Sequence, residues 1–394
     1  LTKKVLFLMS DTGGGHRAAA EAIRDAMIER YGSDHIQAEL VDVYRNMRFP
    51  ANTMPEFYPW IIHNGKWLWS LAYRSSDNPR SARLTSRLTY RYNRGKLRRM
   101  VAQHPADVVV CVHSVTAQPC MTAYQSFPQR PPFVTVVTDL VSTPIFWYDS
   151  RVDRCLVPTQ AAYDRGLKYG LTPEQMRIIG LPVHINFQRA LIPKSEARAL
   201  LGWDATLPTL LMVAGGDGMG PLFETTKAIV ERGLRCQIAV VTGRNKAQKA
   251  LLDEAIKTWD HPSPIHVFGF IKNMPQLMAA SDMIVTKAGP GTIMEACIAG
   301  LPIILSDRVP GQEDGNIDFV VDHGIGVFAP KPEMVVATVE QWLAEGVERL
   351  HQRGERAKSV SHPDAVWQIA DEVWHYAHQP PIPRRLYRRK WLQR

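Results

Sequence analysis

Val5-Leu6-Phe7-Leu8-Met9-Ser10-Asp11-Thr12-Gly13-Gly14-Gly15-His16, running into the alanine-rich stretch Arg17–Glu29, is the segment whose reading decides the fold. An apolar run, three glycines and a helical stretch read as strand, tight turn, helix. Consecutive glycines let a backbone take positive φ and come close to a ligand. They also set His16 in the first turn of a helix, where free N–H groups favour an anion. A histidine there can take a proton from an acceptor hydroxyl. Taken alone, the segment is read equally well as an ordinary strand-to-helix turn whose histidine caps or packs.

The same alternation continues outward. Val108–Val112, Phe133–Thr138 and Arg154–Val157 are further strand-like runs separated by helical stretches, which predicts a parallel sheet with helices on both faces. Pro182, the apolar Val183–Phe187 and Pro193 mark a linker. A second series follows at Leu210–Ala214, Gln237–Val241, His266–Phe268, Met283–Thr286, Ile303–Leu305 and Gly326–Phe328. The predicted class is α/β, with two doubly wound, Rossmann-like halves at residues 1–188 and 189–365. Ligands of such sheets bind at the carboxyl ends of strands, so facing halves place the site in the cleft between them.

The 394 residues suffice for two cores, and 45% apolar with 22% charged content is that of a soluble globular protein. No apolar run is long enough to predict a membrane span, and no secretory leader pattern precedes the first strand. Five cysteines, Cys111, Cys120, Cys155, Cys236 and Cys297, form no metal-spaced cluster and read as isolated thiols in a reducing compartment.

The net charge of +9 is unevenly spread. Between Arg74 and Arg99, nine basic residues face one acid, Asp77, and the tail from Arg384 to Arg394 holds six basic residues and no acid. The rest of the chain is therefore mildly acidic. Arg80, Arg83, Arg87, Arg91, Arg94 and Arg98 fall within an arc of roughly 80° at about 100° per residue, one stripe along a helix. Just upstream lie Phe49, Phe57, Tyr58, Trp60, Trp67, Trp69 and Tyr73. Aromatics beside an arginine face are the expected parts of a segment that lies on an anionic membrane surface. Nucleic acid is the competing partner, but no zinc-finger, RNP or helix-turn-helix signature accompanies the stripe. We expect membrane lipids and no nucleic acid; a merely solvated basic helix is the remaining alternative.

In the second half, polar and glycine loops follow strands repeatedly. Gly215-Gly216-Asp217-Gly218-Met219-Gly220 follows the first strand and lacks the lysine and serine of a P-loop. Arg244 lies in the loop after the next strand, and Phe270 just beyond His266–Phe268. Thr286-Lys287-Ala288-Gly289-Pro290-Gly291-Thr292 runs into a helix, leaving backbone N–H groups aimed at a phosphate. Glu295, one turn in, can accept hydrogen bonds from a ribose diol. Pro310-Gly311-Gln312-Glu313-Asp314-Gly315-Asn316 is a further polar loop. Singly, each is an ordinary turn; in register, they suggest a nucleotide site.

The segments S-D-T-G-G-G-H-R-A-A-A-E-A-I, V-V-T-D-L, I-I-G-L-P-V, T-K-A-G-P-G-T-I-M-E-A and G-L-P-I-I-L-S-D-x-x-P-G-Q-E-D-G-N resemble the monogalactosyldiacylglycerol synthases of glycosyltransferase family 28 from about residue 3 to about residue 375. The resemblance implies a GT-B fold and an inverting transfer of a hexose, galactose, from UDP-galactose to the free hydroxyl of diacylglycerol. It implies no tightly bound cofactor and no metal. By motif position, His16 is the general base, Gly14 and Gly15 lie against the donor phosphates, and Gly289, Pro290, Gly291 and Thr292 surround the pyrophosphate with Lys287. Glu295 is the ribose-binding glutamate, Gln312 and Glu313 hold the sugar hydroxyls, and Asn316 supports their loop. Gly216, Gly218, Arg244 and Phe270 complete the donor side. Asp139 is expected to orient the site or acceptor, and His113 to face the lipid side.

Trp60, Trp67, Trp69, Arg83, Arg87, Arg91 and Arg94 are the expected acceptor and membrane face. Residues 366–379 are expected as a final helix returning to the first half, and 380–394 as a basic tail outside the resemblance. Where plant members carry a His/Pro/Trp-rich run after T-D-L, this chain reads Val141-Ser142-Thr143-Pro144-Ile145-Phe146-Trp147, so acceptor contacts there do not carry over. The expected location is peripheral, on the cytoplasmic face of a membrane, and a homodimer is compatible with the sequence. The rival readings are a UDP-glucose donor, an undecaprenyl-linked acceptor, and a UDP-sugar-binding surface protein without turnover.

Overall fold

The computed structural model describes residues 2–65, 67, 70, 73, 77–214 and 221–384. Trp69, Gly216, Gly218 and the tail from residue 385 lie outside the described residues.

The first half contributes β1 (Lys3–Met9), β2 (Ile36–Asp42), β3 (Val108–Cys111), β4 (Gln129–Arg130), β5 (Phe133–Val136), β6 (Arg154–Val157) and β7 (Met176–Ile178). A parallel sheet runs in the order β2-β1-β3-β5-β6-β7. The second half contributes β8 (Thr209–Val213), β9 (Gln237–Val241), β10 (Ile265–Phe268), β11 (Met283–Lys287), β12 (Ile303–Asp307) and β13 (Gly326–Phe328), parallel in the order β10-β9-β8-β11-β12-β13. Both are doubly wound sheets, as the alternation predicted.

Strands such as Val108–Cys111 and Thr209–Val213 are buried at every position, because helices cover both faces of each sheet and only continuous apolar runs suit that place. Strand order reverses beside β1 in one half and beside β8 and β11 in the other. Those are the points where the loops leaving β1 and β11 open onto a crevice.

Two features tie the halves together. The stretch read as a linker contains a short helix, Ile185–Arg189, whose N-cap His184 meets Asp25 at 3.0 Å and whose Arg189 pairs with Glu29. Proline punctuation marked the boundary but hid a helix pinned to Gly14–Tyr31. The helix Ala365–Ala377 then crosses back to the first half. Its Val366, Ile369, Ala370 and Val373 join the core formed by Val5, Phe7, Ile23, Met27 and Val110. Glu372 fastens it to Arg154 at 2.9 Å and to Arg177 at 2.7 Å. Beyond it, β14 (Ile382–Pro383) pairs antiparallel with β4. All five cysteines are buried and unpaired. Among the described residues no helix is long and apolar enough to cross a membrane.

Candidate active site

At the carboxyl end of β1 the chain must turn sharply into the helix Gly14–Tyr31. Gly13 makes the turn at φ +80°, a conformation L side chains rarely adopt. Asp42, at the end of β2, steadies the loop: one carboxylate oxygen accepts the Asp11 N–H at 2.9 Å and the other the Tyr44 N–H at 2.8 Å. Arg17 grips Asp11 through two hydrogen bonds, at 2.7 and 2.9 Å. The helix has no side-chain cap, and Gly14 and Gly15 are exposed with open space around them. Its first N–H groups are left for an anion.

His16 lies just inside. Its Nδ1–H donates to the Val112 carbonyl at 2.8 Å, with Thr138 Oγ1 alongside at 3.3 Å. The carbonyl can only accept, so Nδ1 carries the proton and Nε2 the lone pair. Burial lowers the ring's pKa to about 4, against the opposing pull of the Val112 carbonyl. The imidazole is therefore neutral across the physiological range.

His113 corrects an expectation. It does not face lipid but is 5% exposed, with Thr12 at 3.2 Å, Thr116 at 3.3 Å and its ring 4.6 Å from that of His16. Burial first, and His16 second, hold its pKa well below the usual histidine range. It serves as the neutral wall behind His16.

Asp139, three residues past the end of β5, accepts the Trp147 indole N–H at 2.7 Å. Burial raises its pKa to about 6; the Trp147 hydrogen bond opposes this, the Glu313 charge adds to it, and a hydrogen bond from Gln312 opposes it. Gln312 and Glu313 belong to the other half, so Asp139 faces them across the cleft.

The second half supplies the complementary wall. A register shift at the end of β11 sets Lys287 opposite Asp307, and its Nζ donates to Glu313 Oε1 at 2.5 Å. Glu313 Oε2 takes the Val309 N–H at 2.8 Å, and Asn316 Nδ2 donates to the Ala288 carbonyl at 2.8 Å. These bonds lock the loops after β11 and β12 against each other. Gly289 caps the helix Pro290–Ala299 without any side-chain bond, so the N–H groups around Gly291 and Thr292 are free for an anion. Burial raises Glu295, one turn in, to about 7. Arg244 and Phe270 occupy exposed loops at the same edge of the sheet, the guanidinium 5.3 Å from the ring centroid. Among the described residues no group of three or more His, Cys, Asp or Glu is arranged to hold a metal.

Contacts across the cleft use residues that sequence reading passed over as ligands. Tyr58 OH donates to Gln312 Oε1 at 3.3 Å and Gly315 N–H donates to Ser142 Oγ at 2.8 Å, while within the first half Tyr73 OH donates to the Ser142 carbonyl. A Cβ at Gly315 would lie 2.7 Å from Ser142 Oγ and from Val141, so only glycine permits this approach. The departure segment Val141–Trp147 is thus where the first half meets the second.

On the outer side, the helix Pro79–Gln103 buries Ala82, Ser86, Asn93, Leu97 and Met100 and exposes Arg83, Arg87, Arg91 and Arg94. Leu84, Leu88 and Tyr92 form a second exposed stripe beside the arginines, at the same spacing of four. That spacing was available in the sequence and was overlooked beside the charges. Trp60 and Trp67 are 62% and 69% exposed. Arg83, Arg87 and Arg91, with Arg151 and Lys168, also line a cavity of about 620 Å³.

Two facing Rossmann-like halves, with an uncapped helix N-terminus on each side of the cleft, define the GT-B architecture. Solved structures agree on the fold: MurG of Acinetobacter baumannii superposes with a TM-score of 0.60 over 95% of this chain and 99% of that one, at 14% identity. WaaG, a glycosyltransferase of lipopolysaccharide biosynthesis, gives 0.56 over 94% and 99%, at 16% identity. Residues 16–183 match monogalactosyldiacylglycerol (MGDG) synthase, and residues 212–371 the glycosyltransferase family 28 C-terminal domain. The chain is 37% identical to a probable monogalactosyldiacylglycerol synthase 2 of Oryza sativa, covering 98% of this chain and 83% of the relative. It is likewise 37% identical to monogalactosyldiacylglycerol synthase 3 of Arabidopsis thaliana, covering 96% and 82%. The chain belongs to the monogalactosyldiacylglycerol synthase family.

Proposed function

We propose that the chain transfers galactose from UDP-galactose to the free hydroxyl of 1,2-diacylglycerol with inversion, His16 acting as general base. The observation that carries this reading is the neutral His16, its Nδ1 proton committed to Val112, facing a second wall built from Lys287, Glu313 and Glu295. The acceptor oxygen attacks the anomeric carbon as its proton passes to Nε2, and the bond from that carbon to the UDP oxygen breaks. Charge growing on UDP is met by the N-terminus of Pro290–Ala299 and by Lys287. Gln312 and Glu313 hold the hexose hydroxyls, Glu295 the ribose diol, and Asp139 orients Gln312. One base and no carboxylate nucleophile is what a single displacement requires.

The test gives purified protein UDP-galactose and UDP-glucose separately, with vesicles of diacylglycerol and an anionic phospholipid. Galactolipid is expected; no glycolipid from either donor would sink the reading, and product from UDP-glucose alone would reassign the donor. The reaction drawn here needs no metal, so chelation by EDTA is expected to leave the rate unchanged.

Glu295 makes a sharper prediction. Its burial-raised pKa of about 7 means the free enzyme carries a partly protonated carboxyl at neutral pH. The anion accepts the ribose hydroxyls better than the acid, so UDP binding strengthens as pH rises through about 7 and weakens below it. Glu295→Gln is expected to weaken UDP about ten- to a hundredfold, the range for hydrogen bonds to a charged group. It also removes the acid limb of kcat/KM near pH 7; calorimetry of UDP binding across pH reads the first effect and steady-state kinetics across pH the second. A limb that persists in the variant would assign it elsewhere.

For the outer face we propose peripheral attachment to the cytoplasmic face of an anionic membrane through Trp60, Trp67, Leu84, Leu88, Tyr92 and the arginines between them. Reversing Arg83, Arg87 and Arg91 to Glu is expected to abolish sedimentation with anionic vesicles. Raising salt should weaken the wild type toward the same level. Binding indifferent to both would remove the electrostatic part of the proposal.

A further inference from the structure

We infer that Tyr58 is a positioning residue that links the membrane-facing helix to the hexose pocket, so that docking on a lipid surface tightens the enzyme's hold on the donor sugar. The inference rests on the reading of Gln312 as a hexose-holding side chain.

Tyr58 lies on the helix Met54–Asn64, whose Phe57 and Trp60 are more than half exposed. At about 100° per residue, Tyr58 points about 100° away from Phe57 and about 160° from Trp60. One short helix therefore presents a wetting face outward and Tyr58 inward. Glu56, in its first turn, pairs with Arg45, which lies just beyond the Asp42 that steadies the glycine loop.

The inward ring touches both halves. A Cβ placed on Gly13 would sit 3.9 Å from Tyr58 Cε1, so the ring borders the turn that precedes His16. Its hydroxyl donates to Gln312 Oε1 at 3.3 Å. The other end of the same amide is claimed by Asp139, a hydrogen-bond partner of Gln312. A carboxylate can only accept, so the amide N–H₂ faces Asp139 and the carbonyl faces Tyr58. Gln312 is held at both ends by residues of the first half, although it belongs to the loop after β12.

An amide held this way is oriented before the sugar arrives, and pre-organisation of this kind appears as affinity. On the free protein Phe57 and Trp60 of the helix Met54–Asn64 remain more than half exposed. A lipid surface that takes Phe57 and Trp60 immobilises the helix, and with it the Tyr58 hydroxyl. Coupling of this sort is reciprocal: whatever factor vesicles add to donor affinity, the donor adds to vesicle affinity.

The experiment titrates UDP-galactose, and UDP as the control lacking a hexose, into the full chain with and without phosphatidylserine–phosphatidylcholine vesicles containing no diacylglycerol. Vesicles are expected to tighten UDP-galactose about two- to tenfold, the range of one neutral hydrogen bond, and to leave UDP alone. Tyr58→Phe keeps the ring and loses the hydroxyl, and is expected to erase the vesicle effect on UDP-galactose while binding UDP as before. In steady state with diacylglycerol present, it should raise the KM for UDP-galactose more than it lowers kcat. A vesicle effect that survives in Tyr58→Phe, or one equally large for UDP, would overturn the inference. Gln312→Ala separates the two layers of the argument. If it leaves the ratio of UDP-galactose to UDP affinity unchanged, Gln312 does not hold the hexose and the underlying reading fails. If it lowers that ratio while Tyr58→Phe changes nothing, only the coupling fails.

Discussion

His16→Ala is expected to lower kcat by about 10²–10⁴-fold, the usual contribution of a positioned general base, with little change in the KM for UDP-galactose. The substitution removes the lone pair proposed to receive the acceptor's proton and leaves the Lys287–Glu313 pair intact. His16→Gln is the sharper comparison, because its amide can still donate to the Val112 carbonyl but offers no basic nitrogen. Both variants should show the same loss. The pH profile separates His16 from its neighbours: titrating at about 4, it is neutral above about pH 5 and contributes no acid limb there. The limb expected near pH 7 is the one proposed for Glu295. The lowered pKa also has a stability consequence. A histidine held at about 4 in the fold and near 6.5 when unfolded contributes stability present above about 6.5 and lost as pH falls toward 4. Wild type is expected to lose more stability between those values than His16→Gln, read by thermal unfolding. Undiminished transfer by His16→Ala would remove the assignment.

Glu313→Ala is the second large effect. The buried carboxylate takes the Lys287 ammonium on one oxygen and the Val309 N–H on the other, so its removal strands two donors at once. A buried donor left without a partner costs about 1–3 kcal/mol, which thermal unfolding will register. Transfer is expected to fall by about 10²–10³-fold, because Lys287, proposed to meet the leaving phosphates, then loses the partner that fixes it. Glu313→Gln keeps an acceptor for Val309 and should recover most of the stability but not the rate. Combining it with Lys287→Met in a double-mutant cycle measures the coupling. A Glu313→Gln enzyme with wild-type turnover would place the sugar contacts on other residues.

The parts of this architecture legible in the sequence were those written locally. Strand, glycine turn and helix follow one another within residues 3–31, and the loop after β11 announces its own uncapped helix start. What stayed hidden depends on distant partners. Nothing around His113 says that Thr12 and His16 will lie against it, and its expected place toward lipid came from the resemblance alone. Tyr58 read as one aromatic in an interfacial cluster, because the Gln312 it meets lies 254 positions away. Leu84, Leu88 and Tyr92 share the helical period of the arginines, so the same spacing carries both stripes. Proline and a short apolar run looked like linker because a helix of five residues carries little periodicity.

The return of the helix Ala365–Ala377 to the first half bears on how the molecule is made. A nascent chain emerging from the ribosome holds the buried residues of the second sheet's core once Ala357 has been added, but the first sheet's core waits for Val366, Ile369, Ala370 and Val373, which arrive near the end. Until then, one side of Gly14–Tyr31 and β3 shows apolar surface to solvent, and partly folded chains of this kind are the ones that aggregate. The halves are accordingly not interchangeable parts. A chimera joining the first half of this chain to the second half of a relative is expected to fold only if it keeps its own closing helix, with Glu372 opposite Arg154 and Arg177.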